Sequence, residues 1–300
     1  MIASGPSVPD RRQAAILAAA VGGISLSAPL IAGTAAPGLA IAFWRTAAAA
    51  AVLAVALAVS ASRSPPRRAR TSGPGGWCSV LAGVCLAGHF GTWIPSLGLT
   101  TVAASIALVS TQPLWSAVAT RLRGVRVPAA VWAGVILAIA GVVLLGGHDL
   151  HASVDVWRGD LLALAGGLCG AGYVILGERA RRTVDAARYN LIACTAAAGA
   201  LGLAAACSGT SLTGFSARAW LMIAAVTLCG QLLGHGLLNQ ALKALDATTV
   251  STVALLEVPA ATALAALFLQ QYPPWSVLLS ALLIGTGSTL VIRCRRRCRC

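Results

Sequence analysis

The chain has 300 residues, of which 58% are hydrophobic and 10% charged, with a mean hydropathy of +0.83. A soluble domain carries about 25% charged residues, so a water-covered surface is excluded. The 22 Lys+Arg against 8 Asp+Glu give a net charge of +14, but the arginines sit in short clusters between apolar runs and form no groove-sized patch, so nucleic acid is not an expected partner.

Ten runs approach the roughly 20 apolar residues that a bilayer span requires. The first, 14–34, follows Arg11 and Arg12. It resembles a secretory signal with Ala35-Ala36 near the cleavage position, but its apolar stretch is longer than a signal core and a second run follows at once, so it is taken as a span. Run 38–60 carries Arg45 and ends before Arg63, Arg67, Arg68 and Arg70. Run 77–98 carries His89 and Trp93; run 101–120 carries Gln112 and Pro113 and ends at Arg121, Arg123 and Arg126. After run 128–146 comes a polar connector with His148, Asp149, His151 and Asp155. Run 159–178 is Gly-rich (Gly166-Gly167, Gly170, Gly172) and carries Tyr173; Arg179, Arg181, Arg182 and Arg188 follow. Runs 189–208, 217–241 (Gln231, His235, Asn239), 246–269 (Glu257, Pro259) and 274–292 complete the set, and 293–300 is a basic tail.

Basic residues fix the orientation, because they stay on the cytosolic side. With a cytosolic N-terminus and ten alternating spans, inside segments hold 19 Lys and Arg, and outside segments hold only Arg158 and Arg218. Both termini, including the tail, are therefore expected in the cytosol, in a multi-pass protein of the cell (inner or plasma) membrane. Six cysteines (Cys78, Cys85, Cys169, Cys194, Cys207, Cys229) fall in or beside apolar runs, where a thiol behaves as a small hydrophobe. Cys294, Cys298 and Cys300 lack zinc-ligand spacing. Free thiols, no metal and no cofactor are expected.

The chain repeats itself at an offset of 146 residues. Gly88-His89 meets Gly234-His235, Ser105 meets Ser251, Pro113 meets Pro259, Pro128 meets Pro274 and Gly141 meets Gly287. Ungapped, 86–145 against 232–291 gives 13 identities in 60 positions, and the His and Pro matches carry most of the information. The offset spans five helices, an odd number, so the second copy enters the membrane from the opposite side. Such inverted repeats accompany alternating access around a site between the halves.

Several stretches resemble the drug/metabolite transporter superfamily, most closely its EamA-type exporters. They are Phe43-Trp44-Arg45, Ser96-Leu97, Pro113, Gly159-Asp160-Leu161-Leu162, Asn239-Gln240-Ala241-Leu242 and Leu256-Glu257-Val258-Pro259, in that order. The resemblance implies an all-α integral membrane fold of ten transmembrane helices. These form two five-helix inverted-topology repeats, 13–146 and 159–292, followed by the cytosolic tail 293–300. It also implies a secondary transporter with a small-molecule substrate in a lipid bilayer; a homodimer is compatible with it. One departure stands out. Where the family commonly carries Gly-Glu at the ends of the fourth and ninth helices, this chain reads Gly124-Val125-Arg126 and Gln270-Gln271-Tyr272, so no role of that Glu carries over.

Ionisable groups in hydrocarbon are costly and normally face the bundle interior with a partner. Glu257 is the acidic residue at mid-membrane, suited to carry a proton or hold a cationic group. Arg45, about 10 Å below the outer surface at 1.5 Å per residue, either snorkels outward, fixes a carbonyl, or pairs with Glu257 or substrate. His89 and His235 are repeat-related; Trp93 and Asn239 lie one turn further along the same helices. With Gln112, these residues are the candidates for a substrate and proton pathway. Pro113 and Pro259 are the expected helix breaks, and Tyr173 and Gln231 are read as packing groups. Trp44, Trp77, Trp132, Trp157, Trp220 and Trp275 fall near span ends, as in an aromatic belt.

The function expected is proton-coupled export of a small metabolite, amino acid or drug-like solute by alternating access. No Walker motif or nucleotide-binding unit is present to use ATP directly. A membrane-embedded enzyme would need clustered His and acidic groups, for which only the 148–155 connector offers material. A lipid-linked or nucleotide-sugar flippase on the same scaffold is the remaining alternative.

Overall fold

The structure is a computed structural model that describes residues 11–63, 74–100, 102–146, 153–269 and the helical positions 279, 282–283, 285–287 and 289–290. Among the described residues there is no strand. A backbone in hydrocarbon has no water to satisfy its amides, so it must satisfy them within each segment, and apolar Ala- and Leu-rich runs do this as helices.

The helices are α1 (Arg11–Ser25), α2 (Ser27–Ala32), α3 (Gly38–Arg63), α4 (Pro74–Ser96), α5 (Val102–Val109), α6 (Gln112–Leu122), α7 (Ala129–Gly146), α8 (Val154–Ala180), α9 (Ala186–Cys207), α10 (Ala217–Val226), a π-helix (Thr227–His235), α11 (Gly236–Ala241), α12 (Ala247–Ala254) and α13 (Glu257–Leu269). Six segments are long and apolar enough to cross a membrane: Arg11–Ala32, Gly38–Ser62, Gly75–Ser96, Val154–Ala180, Ala186–Cys207 and Ala217–Ala241. Ala129–Gly141 and Ala247–Ala261 are shorter apolar helices. Run 101–120 is two short helices rather than one span, and most of run 274–292, with the tail, lies outside the described residues.

The breaks have local causes. Proline lacks the N–H that would bond four residues back. Pro113 is the second residue of α6, just past the break at Ser110–Thr111; Pro259 is the third residue of α13, just past Leu255–Leu256. The freed Leu255 carbonyl is taken by the Val258 amide at 3.0 Å. Short connections begin new helices with side-chain caps: Asp185 accepts from the Arg188 amide at 3.0 Å, Ser216 from Ala219 at 3.2 Å and Asp246 from Thr249 at 3.0 Å.

Polarity runs inside out. Val55, Leu161, Leu203, Leu221 and Leu267 are more than 60% exposed, whereas Arg45, Thr46, Ser79, Ser96 and Ser105 are fully buried. An apolar exterior over a partly polar interior suits a lipid surround. Inside, α4 packs along α8 and α9, α3 along α9, and α1 along the π-helix, while α6 lies between α8 and α12. Of the tryptophans assigned to an aromatic belt, Trp77 and Trp157 are exposed at 72% and 58%. Trp44 instead is a packing group. It stands edge-on to Trp220 at 5.1 Å and donates its indole N–H to the Leu212 carbonyl at 2.7 Å.

Candidate functional site

The two helix breaks and the middle of α4 come together. α5 and α6 contribute Val109, Ser110 and Gln112 to the wall of a cavity of about 50 Å³; α12 and α13 contribute Val250, Ser251, Ala254 and Glu257. α4 adds His89 and Trp93, and the π-helix and α11 add His235, Leu238 and Asn239. Ile24 and Ser27 close it from α1 and α2; Gly170, Tyr173 and Val174 close it from α8. Six of the seven pathway candidates therefore face one space. Arg45 does not line it.

Glu257 is the first residue of α13 and points into the cavity with no hydrogen-bond partner among the described residues. His89 is held from behind: its Nδ1 lies 2.8 Å from the Gly166 carbonyl, and its ring stacks on Trp93 at 5.8 Å. His235 is packed by rings alone, 5.4 Å from Phe90, 6.0 Å from Tyr173 and 6.2 Å from His89. The Trp93 indole N–H has no partner. Gly170 permits this crowding, since a Cβ there would stand 2.7 Å from Gln112 Cδ and 2.9 Å from His89 Nδ1.

Asn239 faces the cavity, yet its amide is committed. Nδ2 donates to the Tyr173 hydroxyl and to Asn190 Oδ1, and its own carbonyl accepts from Arg181 Nε at 2.9 Å. Arg181, past the end of α8, also donates to the Val184 carbonyl. Burial lowers its guanidinium pKa, and the nearby Asp185 carboxylate opposes the shift. Glu178 accepts the Ala247 amide at 3.1 Å, tying α8 to the start of α12. Tyr173, read from the sequence as packing, Ser251, noted there only as the repeat partner of Ser105, and Ser27 and Ser110, which drew no attention there, are wall residues.

Arg45 corrects an expectation. It is 0% exposed, so it does not snorkel; its guanidinium carbon lies 3.9 Å above the Phe90 ring. None of its three nitrogens has a hydrogen-bond partner, and no ion pair joins it to Glu257. It therefore neither fixes a carbonyl nor pairs with that acid. In the 148–155 connector, His148, Asp149 and His151 lie outside the described residues, and Asp155 is exposed beside Arg158 at 3.4 Å. Among the described residues no His, Cys, Asp and Glu cluster could hold a metal, and the six described cysteines are free.

An apolar-faced helical bundle with six helices long enough to cross a bilayer defines a multi-pass membrane protein. A solved crystal structure superposes on this chain with a TM-score of 0.75, over 95% of this chain and 99% of the other, at 19% identity, so the two share a fold. Among curated proteins, no sequence matches. Residues 157–293 match the EamA-like transporter family. The match covers somewhat less than half of this chain, and that part is similar to the family.

Proposed function

We propose that this protein is a secondary transporter that exports a small solute across the plasma membrane in exchange for protons. It works by alternating access between two inverted five-helix halves, with ten spans and both termini in the cytosol. The observation that carries this reading is the convergence of Glu257, His89 and His235 on one cavity at two helix breaks, inside a bundle whose outer face is apolar. Ionisable groups held at such a place mark substrate and proton pathways. The breaks supporting the repeat fall at equivalent positions: Pro113 and Pro259 differ by the same 146 residues as His89 and His235.

The cavity of about 50 Å³ has room for a few waters and not for a metabolite. Its walls must part for a solute to enter, which suits an occluded stage of a transport cycle. The test is a metabolite panel in proteoliposomes, run with and without an imposed pH gradient. Solute movement that accelerates when protons flow the opposite way supports the proposal. Accumulation with equal rates under every gradient overturns the coupling, and no movement of any panel member above protein-free liposomes overturns the transporter reading.

A further inference from the structure

We propose that Arg45 and Ser27 form a subsite for a carboxylate of the transported solute, an inference that rests on the transporter reading. Arg45 Nε, Nη1 and Nη2 and Ser27 Oγ are all buried and without a hydrogen-bond partner. Both side chains converge on one point. A Cβ placed on Gly230 of the π-helix would lie 3.2 Å from Arg45 Nη2 and 2.0 Å from Ser27 Oγ. Ser27 Oγ thus occupies the place a Cβ at Gly230 would take, with Arg45 Nη2 beside it, and both donors lie together against the bare glycine backbone.

Most of the unpartnered groups nearest this point are donors, with Gln231 Oε1 the acceptor beside them. Arg45 presents only donors, Trp93 Nε1 is a donor, and Ser27 Oγ can donate. A set of buried donors wants an acceptor-rich ligand, and a planar guanidinium matches a carboxylate's two oxygens better than any point charge. Ser27 and Trp93 also line the central cavity, so a carboxylate at Arg45 would leave the rest of its molecule there. On the other side, Arg45 is one helical turn from Ile41, which lines a second cavity of about 160 Å³ with Gly38, Ile94 and Pro95. The guanidinium itself lies over the Phe90 ring.

The internal acid nearest in role is Glu257, which shares no ion pair with Arg45. That leaves Glu257 to the proton, or to a cationic group on the same solute, while the arginine takes the anionic end.

Thermal unfolding of the purified full chain in detergent tests the site without transport. The probes are potassium acetate and propionate against potassium chloride at equal ionic strength, with acetamide and propionamide as uncharged isosteres and potassium phosphate as a second oxyanion. Expected is a rise of about 2 °C or more with the carboxylates only. Arg45→Gln should abolish that rise while melting no lower than the unliganded wild type, because it removes a buried charge that makes no hydrogen bond or ion pair among the described residues. Ser27→Ala should keep the fold and weaken carboxylate affinity about tenfold.

Absence of a carboxylate response, an equal response to the amides, or a larger response to phosphate overturns the assignment. So does an Arg45→Gln variant that melts well below wild type, since the arginine is then structural. The two proposals fail separately. Carboxylate binding through Arg45 with no flux in liposomes leaves the site and removes the transporter; flux with no carboxylate response does the reverse.

Discussion

Glu257 and the two histidines line one cavity but differ in how they are held. Glu257 has no hydrogen bond among the described residues; if it is the coupling group, Glu257→Gln should stop proton-driven transport, leave counterflow exchange intact and flatten the pH dependence of flux. Normal pH dependence in this variant would remove the role. His89 bonds the Gly166 carbonyl and stacks on Trp93, so His89→Ala should cost about 1–3 kcal/mol and lower the melting temperature. His235 has ring contacts only, and His235→Ala should lower it less while altering flux. Equal losses of stability would show that the hydrogen bond to Gly166 is not what separates them. Glu257, His89 and His235 were legible in the sequence because an ionisable group in an apolar run is expensive wherever it points. Ser27 and Ser251 were not, because a hydroxyl in a helix can bond its own turn, as Ser251 does to the Ala247 carbonyl at 2.7 Å. Arg45 was legible as a residue but not in its direction, which depends on Phe90 and Gly230 from other helices.

At the scale of elements, the prolines do more than end helices. Each marks a break in the helix at the cavity wall, between α5 and α6 and between α12 and α13. Alanine would let each pair run on as one continuous helix, removing a penalty of about 3 kcal/mol for proline in a helix interior. Pro113→Ala and Pro259→Ala are therefore expected to melt at or above the wild-type temperature and to transport more slowly, since the joint that opens the cavity has been splinted. Wild-type flux in both would mean that the breaks do not move. These breaks were visible in the sequence because proline acts locally. The π-helix was not: Thr227–His235 has the composition of any apolar helix, and its wider turn answers to α1 packed against it.

At the scale of the molecule, the distribution of arginines predicts which end of each helix meets the cytosol. Cys207 is exposed at the end of α9, on the outer side under this orientation, and Cys298 belongs to the basic tail. In single-cysteine variants, a membrane-impermeant maleimide should label Cys207 on intact cells and Cys298 only after permeabilisation. The opposite pattern would invert the topology, and labelling of both from outside would mean an odd number of spans. The apolar runs foretold a membrane protein because hydrocarbon tolerates few other sequences. That 101–120 divides into two short helices was legible from Pro113 and not from hydropathy, which is indifferent to where a chain bends.

A π-helix bonds each amide five residues back instead of four, so it stores slack along its axis. One residue of slack turns everything beyond it by about 100°. The segment here is anchored at both ends, by the Ser216 cap of α10 and by Arg181 on the Asn239 carbonyl. If the wide turn migrates toward α11, His235 swings off Phe90 and Tyr173 while neither anchor shifts. The helix can then present different faces to the cavity as a crease travels along a carpet, with no rigid body displaced. Deleting lipid-facing Leu228, which is 59% exposed, takes out the crease. Such a protein should stay folded, unlike one that loses Leu221 from the regular α10, and it should be locked in a single phase of the helix with its transport cycle stopped.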